Sequence, residues 1–193
     1  MNIAAEVAKG EYLVFLNTDT TVDRLWLSEL VKKISHDDNI GACSSQVLYM
    51  SNNATINTIG GFWSILGIPG SLGEGKMRDS YENGTLIFSP TGASMIMKAN
   101  VYKSIGGLDS DYFLYCEDAD IGWRLWNRKL KVVLVSSSVV YHRVTASLKG
   151  LGKKTFNEWY YFYSSRNRLI TIMKNARGRD LVWMIPLYFF SHL

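Results

Sequence analysis

The sequence predicts an α/β fold. Helical and strand patterns alternate along residues 4–50, short apolar runs with strand character recur later in the chain, and a polar, acidic turn follows the first of them. Such alternation is typical of helices packed against a sheet. The 193-residue chain is 47% hydrophobic and 20% charged, which suits one globular domain with a hydrophobic core.

The first strand is predicted at Tyr12–Leu16, after a short helix over residues 4–9 that ends at Gly10. All of the strand residues are apolar, and a polar turn follows them. A continuous apolar run of this kind is typical of a central parallel strand that is buried on both faces.

A second helix and a second strand come next. Thr21 or Asp23 can cap the helix, and Gly41 is expected to end this unit before a strand over residues 42–50. Four apolar residues at helical spacing form the predicted buried face of the helix: Leu27, Leu30, Val31 and Ile34.

The rest of the chain contains a long irregular segment and then further helices and strands. Residues 51–90 are rich in Gly, Asn and Ser and predict an excursion with short strands, of a length that is usually functional. The later elements follow in order: a buried strand at residues 94–97, a brief helix from about Asn100 to Gly106 and Gly107, a helix over residues 117–129, strands at residues 131–135 and 139–142, and a helix over residues 156–174.

Charge is distributed unevenly along the chain. Through Asp120 there are 8 Lys and Arg against 15 Asp and Glu, a balance of −7, whereas the remainder has 13 against 2, a balance of +11. The acidic part suits a metal ion and the basic part suits anionic lipid or phosphate. No recognition motif supports nucleic acid as a partner. Cys43 and Cys116 lack CxxC spacing and indicate free thiols in a reducing compartment.

The C-terminal run over residues 181–190 is strongly apolar. It is shorter than the ~20 residues that a membrane-spanning helix needs. Three interpretations stay open: an interfacial segment, the beginning of a span, and a buried C-terminal helix.

The turn Asn17-Thr18-Asp19 is the first candidate for chemistry. It lies at the carboxyl end of the first strand, where ligands bind in open α/β sheets. A carboxylate there can hold Mg²⁺ or Mn²⁺ bridging a diphosphate. From the residues alone, Asp19 serves equally well as a simple helix cap.

The second candidate is the acidic segment at the start of a later helix, formed by Glu117, Asp118 and Asp120. The helix dipole accounts for one or two of these acids, but three in four residues repel one another and require a cation or an Arg partner. Arg124, one turn later, can pair with Asp120. That pairing leaves a carboxylate to act as a general base.

His142 is the third candidate, because it follows an apolar strand and a neutral imidazole can bind Mn²⁺. A single His in such a place is more often a core or surface residue. The Walker A, GxGxxG, HExxH and GxSxG motifs are absent from the sequence, so nothing indicates the enzyme classes that depend on them.

Taken together, these segments resemble the family 2 glycosyltransferases, in particular their rhamnosyltransferase-like branch, over roughly residues 4–175. The most specific feature is the Glu-Asp-x-Asp segment followed by Arg, at this distance from an Asn-x-Asp turn. The matching segments are residues 8–20 (AKGEYLVFLNTDT), Trp26-Leu27, residues 91–95 (TGASM), residues 106–109 (GGLD), residues 112–124 (YFLYCEDADIGWR) and Tyr141-His142.

The resemblance implies a GT-A fold, with three layers and a mostly parallel central sheet, and an inverting sugar transfer from a nucleotide-diphosphate sugar to a glycan or lipid-linked hydroxyl acceptor. Asp19 then looks like the metal-binding acid, with Asn17 where many members carry another Asp. His142 looks like the second ligand of Mg²⁺ or Mn²⁺, and Asp118 like the general base. The acceptor side would be shaped by Glu117, Gly92, Ala93, Asp120 and Arg124.

Family members begin with strand–helix units that bind the nucleotide, and the resemblance here starts just before the fourth strand. It therefore implies an N-terminally truncated GT-A domain over residues 1–175 and an apolar, membrane-associated segment over residues 176–193. The expected partners are the donor, the acceptor, an anionic membrane surface and a missing N-terminal half that pairs with the open strand edge.

Three hypotheses follow. The first is a metal-dependent glycosyltransferase in the cytoplasm, peripheral to the membrane or anchored at it. The second is a remnant that keeps this fold without binding donor, and the third is a basic membrane-surface interaction module. Asp19, Asp118 and His142 favour the first over the third, because an interaction module has no need of them.

Overall fold

A six-stranded mixed sheet forms the middle layer of the structure, a computed structural model that describes residues 1–144 and 153–190. The strand order is β1-β7-β3-β8-β2, and β4 also pairs with β3. A separate hairpin joins β5 and β6. The strands are β1 Tyr12–Leu16, β2 Thr20–Val22, β3 Ile40–Tyr49, β4 Asn52–Thr58, β5 Gly61–Trp63, β6 Pro69–Ser71, β7 Ser94–Lys98 and β8 Lys131–His142.

Helices cover both faces of this sheet. On one face Leu30 and Ile34 of α2 pack against Ile96 and Val133. The other face carries the larger core, to which α1, α3 and α4 contribute. The helices are α1 Asn2–Val7, α2 Trp26–His36, α3 Ala99–Ser104, α4 Glu117–Asn127, α5 Lys153–Asn175 and α6 Gly178–Phe190. The predicted three-layer α/β architecture is therefore confirmed.

The pairing of the strands differs from the expected mostly parallel sheet. Among the described strands only β3 and β8 pair in parallel. Strand β1 lies at the edge of the sheet, antiparallel to β7. It is nevertheless apolar throughout, because Leu13 and Phe15 face the larger core while Tyr12 and Val14 pack on the α2 side. The apolar composition of β1 is therefore explained by packing on both of its faces, and not by parallel strands on both of its edges.

Two details of the second helix and strand were also predicted wrongly. Gly41 lies inside β3, where a Cβ atom would come within 2.7 Å of the Leu125 side chain, so close packing against α4 explains this glycine. Leu27 is 45% exposed, and Trp26 takes its place on the buried face by packing against the core. Asp23 accepts a hydrogen bond from the Leu25 N–H just before the helix begins.

The later predictions agree more closely with the structure. The irregular segment contains the short strands β4 to β6, and α3 is followed by Gly106 and Gly107, both with positive φ. The two extended pieces near the end of the sheet form one continuous strand, β8. The C-terminal helix α6 packs on α5 through Met184 and Tyr188. No helix of the described residues is long and apolar enough to cross a membrane.

Candidate active site

Asp19 and His142 meet at one end of the sheet. Strand β2 pairs with the end of β8 so that Thr20 lies opposite His142, and this register brings the neighbouring Asp19 side chain to the imidazole. Asp19 Oδ1 lies 3.1 Å from His142 Nε2. Both side chains are largely buried, with 12% and 15% exposed. The two predicted metal ligands, 123 positions apart in sequence, are therefore in direct contact.

Asn57 of β4 fixes the other side of the imidazole. Its Oδ1 atom lies 2.9 Å from His142 Nδ1. In the tautomer with the proton on Nδ1, that nitrogen donates to Asn57, and the lone pair of Nε2 points toward Asp19. An outer partner of this kind is typical of metal-binding histidines, because it sets both the tautomer and the ring orientation.

This donor set fits a hard or borderline divalent cation. A carboxylate oxygen and a neutral imidazole both suit Mn²⁺. Two adjacent ligands about 2.1 Å from an octahedral ion are about 3 Å apart, close to the 3.1 Å between Asp19 Oδ1 and His142 Nε2. Within residues 1–144 and 153–190, no group of three or more His, Cys, Asp or Glu side chains could hold a metal ion. Water or a bound phosphate would supply the remaining ligands.

Asn17 and Ala93 form a main-chain link next to this pair. The Asn17 N–H donates to the Ala93 carbonyl at 3.0 Å, and the Asn17 carbonyl accepts a hydrogen bond from Thr20 Oγ1 at 2.6 Å. These contacts tie the end of β1 to the beginning of β7 and shape the turn that carries Asp19.

Asp118 and Glu117 lie at the beginning of α4, above Gly92. Asp118 Oδ2 accepts a hydrogen bond from the Gly92 N–H at 3.4 Å, and Oδ1 accepts one from the Ala119 N–H at 2.7 Å. A Cβ atom on Gly92 would lie 3.7 Å from Glu117 Oε1 and 3.9 Å from Asp118 Oδ2. A larger side chain at this position would therefore fill the space above both carboxylates.

Both carboxylates are destabilised in their charged forms. Burial, and to a lesser degree the charge of Asp118, raises the pKa of Glu117 to about 7. Burial also raises the pKa of Asp118, against the opposing effect of the hydrogen bonds from Ala119 and Gly92. The buried Glu117 Oε2 atom has no hydrogen-bond partner among the described residues, so no hydrogen bond from this part of the structure to that atom offsets the cost of a charge on this carboxylate.

Replacing Glu117 by Gln should stabilise the protein at alkaline pH. Because the folded-state pKa of Glu117 is raised from 4.5 to about 7, its contribution to stability is complete below pH 4.5 and is lost as the pH rises through 7. The free energy of unfolding of the variant should exceed that of the wild type by roughly 2–3 kcal/mol at pH 8 and match it at pH 4.5. Urea titrations at the two pH values measure the difference. Glu82→Gln, at an exposed glutamate, is the matched control, and an equal gain there would contradict the assignment.

Asp120 and Arg124 form a buried ion pair within α4. Arg124 Nε and Nη2 donate to Asp120 Oδ2 at 2.8 and 2.5 Å, so the predicted pairing is confirmed. Arg124 Nη1 also donates to the carbonyls of Ile105 and Gly107. Neither Asp120 nor Arg124 is among the described residues that line the cavity beside Asp118.

A cavity of about 550 Å³ lies beside Asp118. Asp118 lines it, as does Asn57, the partner of the His142 ring. Glu117 is not among its described lining residues. Asp19 and His142 are not among the described lining residues either, and Asn57 links their pair to the cavity through its contact with the imidazole.

The turn before α4 is strained, and α5 holds it in place. Tyr115 and Cys116 have φ values of 69° and 67°, a left-handed conformation that costs about 1–3 kcal/mol for a non-glycine residue. Asn167 of α5 is fully buried and donates from Nδ2 to the carbonyls of Leu114 and Tyr115 at 2.7 and 2.9 Å. The resulting turn presents Asp118 to the cavity.

Sequence reasoning missed Asn57 and Asn167. Asn57 comes from a short strand in a segment rich in polar residues, where nothing local distinguishes one Asn from another. Asn167 carries a weak signal, since it is a polar residue between two arginines in a helix rich in aromatic residues. Only the tertiary structure shows which groups these two amides contact.

Comparisons with known proteins identify a family for this chain. A family model described as glycosyl transferase family 2 matches residues 1–104. The O-antigen biosynthesis protein RfbC of Myxococcus xanthus is 28% identical over 173 residues, which cover 86% of this chain. The chain spans 13% of the length of that relative.

Solved glycosyltransferases have a similar fold. One is GalNAc-T7, solved with UDP, GalNAc and Mn²⁺. The match covers 73% of this chain and 29% of the GalNAc-T7 chain, with a TM-score of 0.59 and 19% identity. The mannosyltransferase PcManGT of Pyrobaculum calidifontis, in complex with GDP-Man and Mn²⁺, matches the whole chain and 48% of its own (TM-score 0.53, 14% identity). S. aureus TarS matches 98% of the chain and 50% of its own (TM-score 0.51, 14% identity). At these identities the likeness concerns the GT-A fold.

Proposed function

The chain belongs to glycosyl transferase family 2, and we propose that it transfers a sugar from a nucleotide-diphosphate sugar to a hydroxyl acceptor with inversion at the anomeric carbon. One observation carries the proposal: Asp118, a carboxylate with a raised pKa, lines the same cavity as Asn57, which contacts the imidazole of the Asp19–His142 pair that fits a divalent metal. The UDP and GalNAc in the GalNAc-T7 structure, the GDP-Man in the PcManGT structure and the Mn²⁺ in both support the choice of donor and metal.

Asp118 is the proposed general base. As the acceptor oxygen forms its bond to the anomeric carbon, the hydroxyl proton passes to the Asp118 carboxylate, and the bond from that carbon to the diphosphate breaks with its electron pair. Partial desolvation makes Asp118 a stronger base than an exposed carboxylate. Its two N–H partners hold it in position for this transfer.

Asp19 and His142 would hold Mg²⁺ or Mn²⁺, with Asn57 orienting the imidazole. The bound metal supplies positive charge against the leaving diphosphate. Asn17 belongs to this donor end through its contacts with Thr20 and Ala93. The name of the Myxococcus xanthus relative supports a role in polysaccharide biosynthesis.

Calorimetric titration with UDP, dTDP or GDP, with and without Mn²⁺, tests this proposal. We expect metal-dependent binding of a nucleotide. His142→Ala and Asp19→Asn should each weaken this binding at least tenfold, because each variant removes one of the two protein ligands of the metal. Loss of even an outer partner of a ligand weakens metal affinity by about 10–100-fold. His36→Ala, at an exposed histidine, is the matched control. If the folded wild-type chain binds no nucleotide with Mn²⁺, the non-catalytic remnant becomes the better explanation.

We also propose that the C-terminal segment, residues 176–193, places the enzyme on the cytoplasmic surface of an anionic membrane. Residues 191–193 lie outside the described part of the chain. Within α6, Met184 and Tyr188 pack on α5 while Val182 and Phe190 are each 76% exposed. An exposed apolar face beside a basic half of the chain suits an anionic bilayer surface.

Replacing Val182 and Phe190 by Ser should lower partitioning to anionic vesicles at least tenfold. Burial of an apolar side chain of this size is worth about 1.5–3 kcal/mol, and the packed face of α6 is left intact. Co-sedimentation with phosphatidylglycerol vesicles measures the change. Ile3→Ser, at a 79% exposed residue of α1, is the control. Unchanged sedimentation of the double variant would contradict the membrane proposal.

A further inference from the structure

Aromatic side chains line the same cavity as the proposed general base. Tyr115 and Tyr160 pack edge to face with their ring centroids 5.1 Å apart, and Tyr160 and Tyr161 do so at 5.7 Å. Four aromatic residues belong to the cavity lining: Phe62, Tyr115, Tyr160 and Tyr161.

Three of these aromatic residues are exposed to solvent. Tyr161 is 67% exposed, Tyr160 is 43% exposed and Phe62 is 42% exposed. Large aromatic rings that stay exposed at the rim of a cavity are a recurrent mark of a binding surface. Phe162, the next residue of α5, is 61% exposed but does not belong to the described cavity lining, so aromatic exposure on this helix extends beyond the cavity.

The rest of the lining is rich in hydroxyl groups. It includes six serine and threonine residues: Thr58, Ser71, Ser89, Thr91, Ser164 and Ser165. A sugar ring offers an apolar C–H face, which can stack on an aromatic ring, and a rim of hydroxyls, which can exchange hydrogen bonds with Ser and Thr. An acyl chain would remove these side-chain hydroxyls from water without supplying partners, which is unfavourable.

The charges of the lining also argue against a phosphate ligand. Asp118 and Glu74 contribute negative charge. Arg168 is the basic residue among the described lining, and its Nε and Nη2 atoms already donate to the carbonyls of Gly67 and Leu66. A polyol therefore suits this cavity better than an anion does.

We propose that the cavity binds at least two consecutive sugar rings of a glycan acceptor, with Tyr161 stacking on a ring beyond the one that carries the reacting hydroxyl. The inference rests on the proposed function, since Asp118 marks the reacting end. A volume of about 550 Å³ lies within the roughly 300–1,000 Å³ range of pockets for drug-sized ligands, which exceeds the space that one monosaccharide fills. Tyr161 thereby becomes a residue that selects acceptors by chain length.

The test is binding of the wild-type chain, Tyr161→Ala and Phe162→Ala to an array of polysaccharide fragments of one to six rings built from common hexoses and deoxyhexoses. The wild type should prefer fragments of two or more rings. Tyr161→Ala should lose this preference, with about tenfold weaker binding of the longer fragments, whereas Phe162→Ala should retain it. No binding of any fragment by the wild type, or equal loss in both variants, would overturn the proposal.

Two parallel measurements separate this inference from the others. Titration with nucleotide and Mn²⁺ should give the same affinity for Tyr161→Ala as for the wild type. Glycan binding without any nucleotide binding would contradict the proposed transferase function but would still support the glycan subsite. If both aromatic variants instead lose affinity for anionic vesicles while Tyr161→Ala keeps its glycan preference, the surface is a membrane contact and the glycan subsite is wrong.

Discussion

Replacing Asp118 by Asn should lower the rate of sugar transfer by about 10²–10⁴-fold, the range that general-base catalysis usually contributes. An Asn side chain has nearly the same shape and can still accept a hydrogen bond from the Gly92 N–H, but it cannot take the proton of the acceptor hydroxyl. The rate is measured as release of nucleoside diphosphate in the presence of donor and a glycan acceptor. Calorimetry should show unchanged nucleotide affinity, because Asp118 contacts the acceptor end of the site.

The control for this experiment is Asp79→Asn, which removes a carboxylate that is 94% exposed. It should leave both the rate and the nucleotide affinity at their wild-type values. Near-normal turnover in Asp118→Asn would show that another group accepts the proton. Simultaneous loss of turnover and nucleotide binding would show that Asp118 supports the structure of the whole site.

The sequence predicted where the elements lie better than how they pair. The apolar run at Tyr12–Leu16 correctly indicated a strand, which is buried on the face of Leu13 and Phe15 and half-buried on the face of Tyr12 and Val14. Its neighbour β7 arrives from residues 94–98 and runs antiparallel to it. The hydrophobic pattern of a strand indicates whether other elements pack on its two faces. It does not indicate whether the neighbouring strand is parallel or antiparallel.

The functional residues divide in a similar way. Asp19, His142 and Asp118 were singled out because acids after a strand, a His after a strand and acids at a helix start suggest chemistry locally, and the family resemblance gave them roles. Asn57 and Asn167 were missed because their roles exist only through long-range contacts, the first with the His142 ring and the second with the strained turn at Tyr115. Residues that orient others leave little trace in a single sequence.

Breaking the Asp120–Arg124 pair should have the largest effect on stability. Asp120 is 1% exposed, and it accepts two hydrogen bonds from Arg124 and one from Asn175 of α5 at 2.8 Å. Arg124→Met would leave this carboxylate buried without its cationic partner, and breaking a buried pair in this way costs about 3–5 kcal/mol. The loss should appear as a lower urea midpoint for unfolding.

The neighbouring Arg128→Met is the matched control, because Arg128 lies just past the end of the same helix and makes an exposed contact with Ser104; its midpoint should shift little. The double variant Asp120→Asn/Arg124→Met should be more stable than Arg124→Met alone, since neither charge is then left unpaired. If Arg124→Met lies within about 1 kcal/mol of the wild type, water or another cation must reach Asp120. A large loss of stability would instead show that the pair holds α4, which carries Asp118, in place. Arg124 does so by bonding both Asp120 and the carbonyls of Ile105 and Gly107.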